Sequence, residues 1–490
     1  MVMQADSPAP VSAAAQDNAA DAPFPVARDY HLFSNGSKRI LALDGGGVRG
    51  AISVAFLERI EQIFATRQCN MIADYQRALG LARSPGLAEF LNVLPIRLAD
   101  HFDLIGGTST GAIIAGALAL GHNTERIKAF YLEKAAKIFP ARRWRLQGLQ
   151  SKFDAGPLRE EIKDVVKERT LASPDIVTGL CMVAKRMDTG SPWILSNSPL
   201  APYWEPDRND PDKFLPNKDY MLSNLVRAST AAPHFFDPEF IPITKKAQKA
   251  EADAERIRGA SASPSLLSSR LKAVYHVSKD ALARQFRRPG EKPHSETHGL
   301  FIDGGVTPYN NPALALLMVA ALKKYGLCWP LDPNQLTLVS VGTGWHRRRL
   351  SFKQLRFLPH PRLAMRALLS LMGDAEIMAL ALMQWLGQCD DPWEINSEIG
   401  DLSDDWPAGR QQWFRFVRYD LRLEKTWLKK HIDVDLSERE LERLHRMDRA
   451  DNIPILYELA KIAAQRQVKA EHFFPRRAAS SPPAPRGHPT

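Results

Sequence analysis

The chain has 490 residues, 44% of them hydrophobic, enough to bury one large core or two moderate ones. Its 65 Lys and Arg against 55 Asp and Glu give a net charge of +10, a surplus that favours phosphates or anionic membrane surfaces without specifying either. The four cysteines, Cys69, Cys181, Cys328 and Cys389, stand far apart with no CxxC or Cys/His cluster, so neither a zinc site nor a disulfide framework is indicated, and a reducing compartment fits best.

No uninterrupted apolar run reaches the roughly 18 residues of a spanning helix, so a soluble or peripheral protein is expected. The Ala- and Pro-rich start carries no early Lys or Arg and no apolar core of the kind a secretory signal needs. Residues 1–36 are therefore expected to be disordered, and 475–490, of the same character, to be a disordered tail. Between them short apolar runs alternate with longer amphipathic ones, the pattern of an α/β fold with a mainly parallel sheet.

The first expected strand, 39–43, ends in Asp44 and the turn "DGGGVRG", and an expected helix over 51–67 follows. Gly45, Gly47 and Gly50 match GxGxxG, so a dinucleotide site is formally present. Context counts against it: Asp44 would set a negative charge near a pyrophosphate, and no second strand ends in an acid at the expected distance. A P-loop is excluded because no Gly-Lys-Ser/Thr follows. What remains is a row of backbone N–H groups at a helix N-terminus, a ready anion site.

The second expected strand, 101–105, leads into "GGTSTG" and an apolar helix expected over 110–120. Gly107-Thr108-Ser109-Thr110-Gly111 fits Gly-x-Ser-x-Gly in the strand–turn–helix context of a nucleophile elbow. Gly107 and Gly111 permit the tight turn, and the helix macrodipole favours negative charge developing at Ser109. Read blandly, the same residues are a Gly/Ser/Thr turn of no chemical meaning. A serine hydroxyl needs a base. After a third expected strand at 179–185 and a basic, irregular stretch at 245–298 read as a solvated insertion, a short strand at 300–302 delivers Asp303 followed by two glycines. If its strand shares one parallel sheet with that of Ser109, Asp303 lies on the same rim; alone, it also reads as an Asx-type turn.

Asn311 and Pro312 then open a helix "ALALLMVAALKKY" that Gly326 can end, and 336–341 is the fifth expected strand. The basic run at 345–362 interleaves Arg and Lys with Trp, Leu and Phe, and reads equally as a solvated face or as an interfacial one. His346 stands in the Ser…Asp…His order of ordinary α/β hydrolases and is the alternative base; His234, beside Pro233, is read as structural. Toward the end "VRYDLRLEK" is expected to be a strand, and "SERELERLHRM" and "IPILYELAKIAAQRQVKAEHFF" closing helices.

Taken together, "DGGGVRG", "GGTSTG", "RASTAAPHFFDP" and "DGG" in this order resemble the patatin-like phospholipase family, over somewhat more than half of the chain. The resemblance implies a three-layer α/β/α acyl hydrolase domain over 37–330, with 331–474, mostly helical, completing or covering it. It implies Ser109 as nucleophile, Asp303 as base without a histidine, an oxyanion loop of Gly45, Gly46 and Gly47 with Arg49 nearby, no metal and no cofactor. The expected substrate is a phospholipid or lysophospholipid met at a membrane surface, with no nucleic-acid partner. The expected place is the cytoplasm, at its membranes, or outside the cell by a signal-independent route. The resemblance also leaves 331–474 open to house control by a nucleotide signal or a host factor. The alternative from another class is a nucleotide-binding oxidoreductase using the Gly45–Gly50 turn.

Overall fold

The computed structural model describes residues 26–79, 96–138, 153, 155–233, 235–260, 297–347, 360–402, 405 and 411–474. Residues 1–25 and 475–490 of the expected disordered ends, His234, most of the basic insertion and residues 348–359 of the second basic run lie outside the described residues. Residues 26–36, also expected to be disordered, are instead ordered against the core: Ala27–Phe33 form a helix that buries Leu32 in an apolar cluster.

Among the described residues nine strands form one sheet in the order β5-β6-β3-β2-β1-β7-β9-β8, with β4 paired to β3. They are β1 Lys38–Leu43, β2 Leu104–Thr108, β3 Gly179–Arg186, β4 Ser191–Ser196, β5 Glu239–Pro242, β6 His298–Asp303, β7 Leu336–Val341, β8 Gly387–Gln388 and β9 Phe414–Tyr419. Every neighbouring pair from β3 through β8 along that order is parallel. The central strands are buried on both faces: Leu41 and Leu43 of β1 join one apolar core, while Ile40 and Ala42 join the other. This is why 39–43 reads as a continuous apolar run rather than an alternating one. The mostly parallel sheet between helical layers is the expected α/β architecture.

The first core is filled by α1 (Gly50–Ala78), α2 (Thr110–Ala119) and α3 (Ile453–Gln467); the second receives α4 (Ala313–Ala321). Helix α2 is apolar almost all round because nearly all of its residues are buried. Asn311 does engage the start of α4, its Oδ1 accepting the Ala313 N–H at 3.0 Å. The helix nonetheless stops at Ala321, because Leu322 adopts an extended conformation, and Gly326 ends a short 3₁₀ turn instead, at φ 80°. No helix among the described residues is long and apolar enough to cross a membrane.

Two expectations shift. The second strand runs over Leu104–Thr108, three residues later than 101–105, so it delivers Ser109 directly from its end. The late strand is Phe414–Tyr419, earlier than "VRYDLRLEK", since it is the segment that pairs with β7. With β8 it extends the same sheet, so the C-terminal part of the chain adds strands as well as helices.

A third difference concerns direction. β6 is antiparallel to β3, not part of the parallel set. β4 pairs with β3 along Cys181 to Arg186, so the opposite edge of β3 is shared: β2 pairs with it up to Val183, and β6 from Ala184 onward. The two strands thus run head-on along one edge. Thr108 faces Val183 and Asp303 faces Ala184, so the residue after β2 and the last residue of β6 are forced together.

Candidate active site

Ser109 sits at φ 54° and ψ −123°, a conformation costly for a residue with a Cβ. The turn closes so tightly that a Cβ on Gly107 would lie 2.1 Å from the Gly111 carbonyl oxygen, and one on Gly111 2.2 Å from the Leu43 carbonyl oxygen. Only glycine fits at either place. The strain is held by a contact absent from the sequence reading. The Ser109 N–H donates to Ser229 Oγ at 2.8 Å, and that fully buried hydroxyl donates to the Val183 carbonyl at 2.6 Å. Ser229 therefore bridges the seam where β2 and β6 both end. Two residues on, the Ala231 carbonyl accepts the Asp303 N–H at 2.9 Å, so one segment seats both residues.

The Ser109 hydroxyl donates to Asp303 Oδ2 at 2.5 Å, and Asp303 Oδ1 accepts the Gly305 N–H at 2.6 Å. Asp303 is 5% exposed. Burial pushes its pKa up to about 6, against the opposing pull of the Ser109 and Gly305 hydrogen bonds and of the Arg227 charge. Arg227 is itself buried and paired with Glu239 at 3.0 Å. Such a carboxylate is basic enough to accept a serine proton and is already in contact with it.

The glycine loop lies against this pair. A Cβ on Gly45 would come within 3.0 Å of Ser109 Cβ. The Gly45 N–H is already committed to the Asn310 carbonyl at 3.1 Å, whereas among the described residues the Gly46 and Gly47 N–H groups make no backbone hydrogen bond. Of the three glycines expected to donate, these two have amides left for an incoming oxygen. Arg49 is 7% exposed and approaches His346 Nδ1 at 3.4 Å. His346 stacks on His445 with ring centroids 3.8 Å apart. It lines the cavity, yet the Ser109 hydroxyl meets a carboxylate rather than an imidazole.

Asp44, which argued against a dinucleotide, is 1% exposed and pairs with Arg418 Nη2 at 2.7 Å. The same nitrogen lies 2.8 Å from Asp420 and 3.4 Å from Glu376, and Nη1 donates to Ser340 Oγ at 2.7 Å. Burial raises the Asp44 pKa against the pull of Arg418. Asp44, Glu376 and Asp420 offer carboxylate oxygens within 4.8 Å of one another, the kind of group that can ligate a metal, but one guanidinium reaches all three. This network ties the end of β1, directly before the glycines, to β7 and β9. Asp44 is thus turned into the sheet rather than toward a ligand, so its charge is no longer the objection to a dinucleotide; that reading is not favoured because the glycine loop lies against the Ser109–Asp303 pair.

A cavity of about 350 Å³ opens over Ser109, Asp303 and residues 45–49. Ile113, Phe130, Ile138, Leu158, Phe235 and Phe236 give it an apolar wall suited to an acyl chain. Ser229 and Arg418 were legible only in hindsight, in "RASTAAPHFFDP" and "VRYDLRLEK", because each acts through a partner far away in sequence.

Comparison with known proteins shows what the chain is similar to. The chain is 28% identical over 207 residues to a cGAMP-activated phospholipase of Escherichia coli strain TW11681, covering 41% of this chain and 48% of that one. It is 28% identical to a cUMP-AMP-activated phospholipase of Escherichia coli, over 44% of this chain and 52% of that one. It is also 28% identical to Patatin-17 of Solanum cardiophyllum, over 47% and 51% respectively. The chain spans about half the length of these relatives. A family model described as patatin-like phospholipase matches residues 41–317, more than half of the chain, which therefore belongs to the patatin-like phospholipase family.

Proposed function

We propose that the protein hydrolyses fatty acyl esters of phospholipids or lysophospholipids through Ser109 and Asp303, acting from the cytoplasm at a lipid surface. The observation that carries this reading is the 2.5 Å hydrogen bond from a strained, half-buried serine to a buried carboxylate at the floor of an apolar cavity. Asp303 takes the proton as Ser109 Oγ attacks the acyl carbonyl. The Gly46 and Gly47 amides, with Arg49 nearby, receive the oxyanion, and the alcohol or lysolipid leaves with the proton that Asp303 returns. Water, activated by the same carboxylate, then releases the fatty acid. The scheme needs no metal or cofactor. Membership of the family supports lipid acyl hydrolysis, and the relatives named as phospholipases support the substrate class.

The test is labelling of Ser109 by a fluorophosphonate, mapped by peptide mass spectrometry, together with lipid-product analysis on mixed vesicles. Because two relatives are named for activation by cGAMP and cUMP-AMP, each assay is run with and without these nucleotides. Free fatty acid with the matching lysolipid or glycerol phosphodiester is expected. An unlabelled Ser109 and no fatty acid under any of these conditions would refute the reading.

Two substitutions separate the roles. A Cβ on Gly46 would lie 2.2 Å from Thr343 Oγ1, whose hydrogen bond to the Gly45 carbonyl at 2.8 Å holds the loop. Gly46→Ala must displace the loop and is expected to lower kcat by about 10²- to 10³-fold, the usual effect of losing an oxyanion donor, with little change in KM. Ser229→Ala leaves the Ser109 N–H and the Val183 carbonyl without their shared partner, costing about 1–3 kcal/mol of stability. It should also reduce kcat about tenfold by loosening the elbow, with Ser229→Cys retaining more activity than Ser229→Ala. Steady-state kinetics beside thermal melts decide it: a melting shift with unchanged kcat would leave Ser229 a structural residue only.

A further inference from the structure

A second cavity, of about 440 Å³, lies between β9, the helix Lys425–Ile432 and the end of α3, with residues 391–394 also lining it. It shares no lining residue with the cavity over Ser109. Trp427, Lys430 and His431 fall on one face of the first helix, and Ala463, Arg466 and Gln467 on one face of α3. Arg466 donates to the His431 carbonyl, which joins the two faces.

The cavity is lined by five Arg or Lys, against the carboxylates of Asp391, Glu394 and Asp401. Two of the five are settled within the protein: Arg418 by Asp44, Asp420 and Glu376, and Lys469 by Asp391 at 2.5 Å. His472 approaches the same Asp391 carboxylate through Nε2, at 2.8 Å. Among the described residues Arg422, Lys430 and Arg466 make no ion pair; the two guanidiniums donate to the backbone carbonyls of Glu394 and His431. Lys430 and Arg466 are exposed, whereas Arg422 is 9% exposed, and its buried Nε has no hydrogen-bond partner. Its guanidinium lies 5.3 Å from the Trp345 ring centroid and 5.0 Å from that of Trp393. Indole faces offset part of the lost hydration, yet the charge stays buried with no carboxylate in contact.

A buried guanidinium without a counter-ion, beside an exposed ammonium and a second guanidinium, suits an anion with several acceptor oxygens, phosphate above all. The volume exceeds what a bare phosphate fills, and one part of the lining is aromatic. Trp393 and Trp427 are inclined by 17° and Trp427 and His431 by 19°, with ring centroids 6.2 and 4.6 Å apart. Glu394 and Asp401 keep the lining from being uniformly basic, which favours one compact anion over a polyanion such as nucleic acid. We propose that this second cavity binds a small organic phosphate, its phosphate held by Arg422, Lys430 and Arg466 and its organic part laid along Trp393 and Trp427. A soluble phosphate ester and the headgroup of a phospholipid offer the same chemistry. The site stands apart from the Ser109 chemistry and does not depend on it.

The experiment titrates phenyl phosphate and inorganic phosphate into the full chain by calorimetry, with sodium chloride holding the ionic strength fixed. Vesicles of phosphatidylcholine, with and without phosphatidylglycerol, are scored in parallel by co-sedimentation. Phenyl phosphate is expected to occupy a single site, more tightly than inorganic phosphate. The double variant Lys430→Ala/Arg466→Ala should bind it about tenfold or more weakly, as expected when charge-assisted bonds are lost, with folding checked by a thermal melt. Lys430→Glu, a single change at an exposed position, should weaken binding in the same direction and serves if the double variant does not fold. Binding of phosphatidylglycerol vesicles in place of phenyl phosphate, lost in the same variants, would also support the site and assign the lipid headgroup as its source. Wild type that binds none of these probes, or folded variants that bind them as wild type does, overturns the site and leaves the cations a solvated rim.

Discussion

Ser109→Ala is expected to lower fatty acid release by about 10⁵-fold or more, to a residue that the oxyanion loop and substrate binding alone can sustain. The size follows from the site. The Ser109 hydroxyl donates to the buried Asp303 carboxylate, and in the proposed mechanism its removal deletes the covalent route itself. Folding should survive the change. The Ser109 N–H still donates to Ser229, the flanking glycines still close the turn, and Asp303 keeps the Gly305 N–H. The measurement is lipid-product mass spectrometry on purified wild type and variant with matched thermal melts. A variant that folds normally and keeps a tenth of wild-type turnover would show that the acyl group never resides on Ser109.

The elements nearest this chemistry were the most legible in the sequence, for a physical reason. A parallel strand buried on both faces, a turn that only glycine can make and an all-apolar helix each leave a local mark, and β1, residues 106–111 and α2 carry all three. The meeting of Ser109 with Asp303 carries no such mark. It depends on β6 running against β3 and ending where β2 ends, and strand direction is decided by pairing across the sheet rather than by any residue within 298–303. A shared parallel rim was a reasonable expectation and the wrong geometry. The outcome was still proximity, because two strands converging on Val183 and Ala184 bring their last residues together as surely as two side by side. The division of labour in the glycine loop was likewise hidden. Gly45, Gly46 and Gly47 look equivalent in sequence, and only the Asn310 carbonyl, brought by the turn after β6, separates the first from the other two.

Asp303→Asn keeps the size of the side chain and removes its capacity to take a proton, and kcat is expected to fall about 10³-fold or more, at the upper end of what a positioned base contributes. KM should change little, since the cavity wall of Ile113, Phe130 and Phe235 is untouched. The pH profile supplies an independent signature. The base works ionised, and burial sets its pKa at about 6, so wild-type kcat/KM should decline as pH falls through that value. The residual activity of Asp303→Asn should lack this acid limb. Stability carries the opposite sign. Native Asp303 holds its proton up to about 6, whereas in the unfolded chain it is lost near 3.8, so between those values the folded state binds more protons and loses stability as pH rises. The two-unit displacement corresponds to about 3 kcal/mol, fully incurred above pH 6, where the enzyme is active. Asp303→Asn should therefore be more stable than wild type at neutral pH and lose that advantage as pH falls toward 4. Urea unfolding at the two pH values measures the difference directly. A variant with the same stability at both relative to wild type, and the acid limb intact, would move the base from Asp303 to another group, with His346, which also lines the cavity, the alternative.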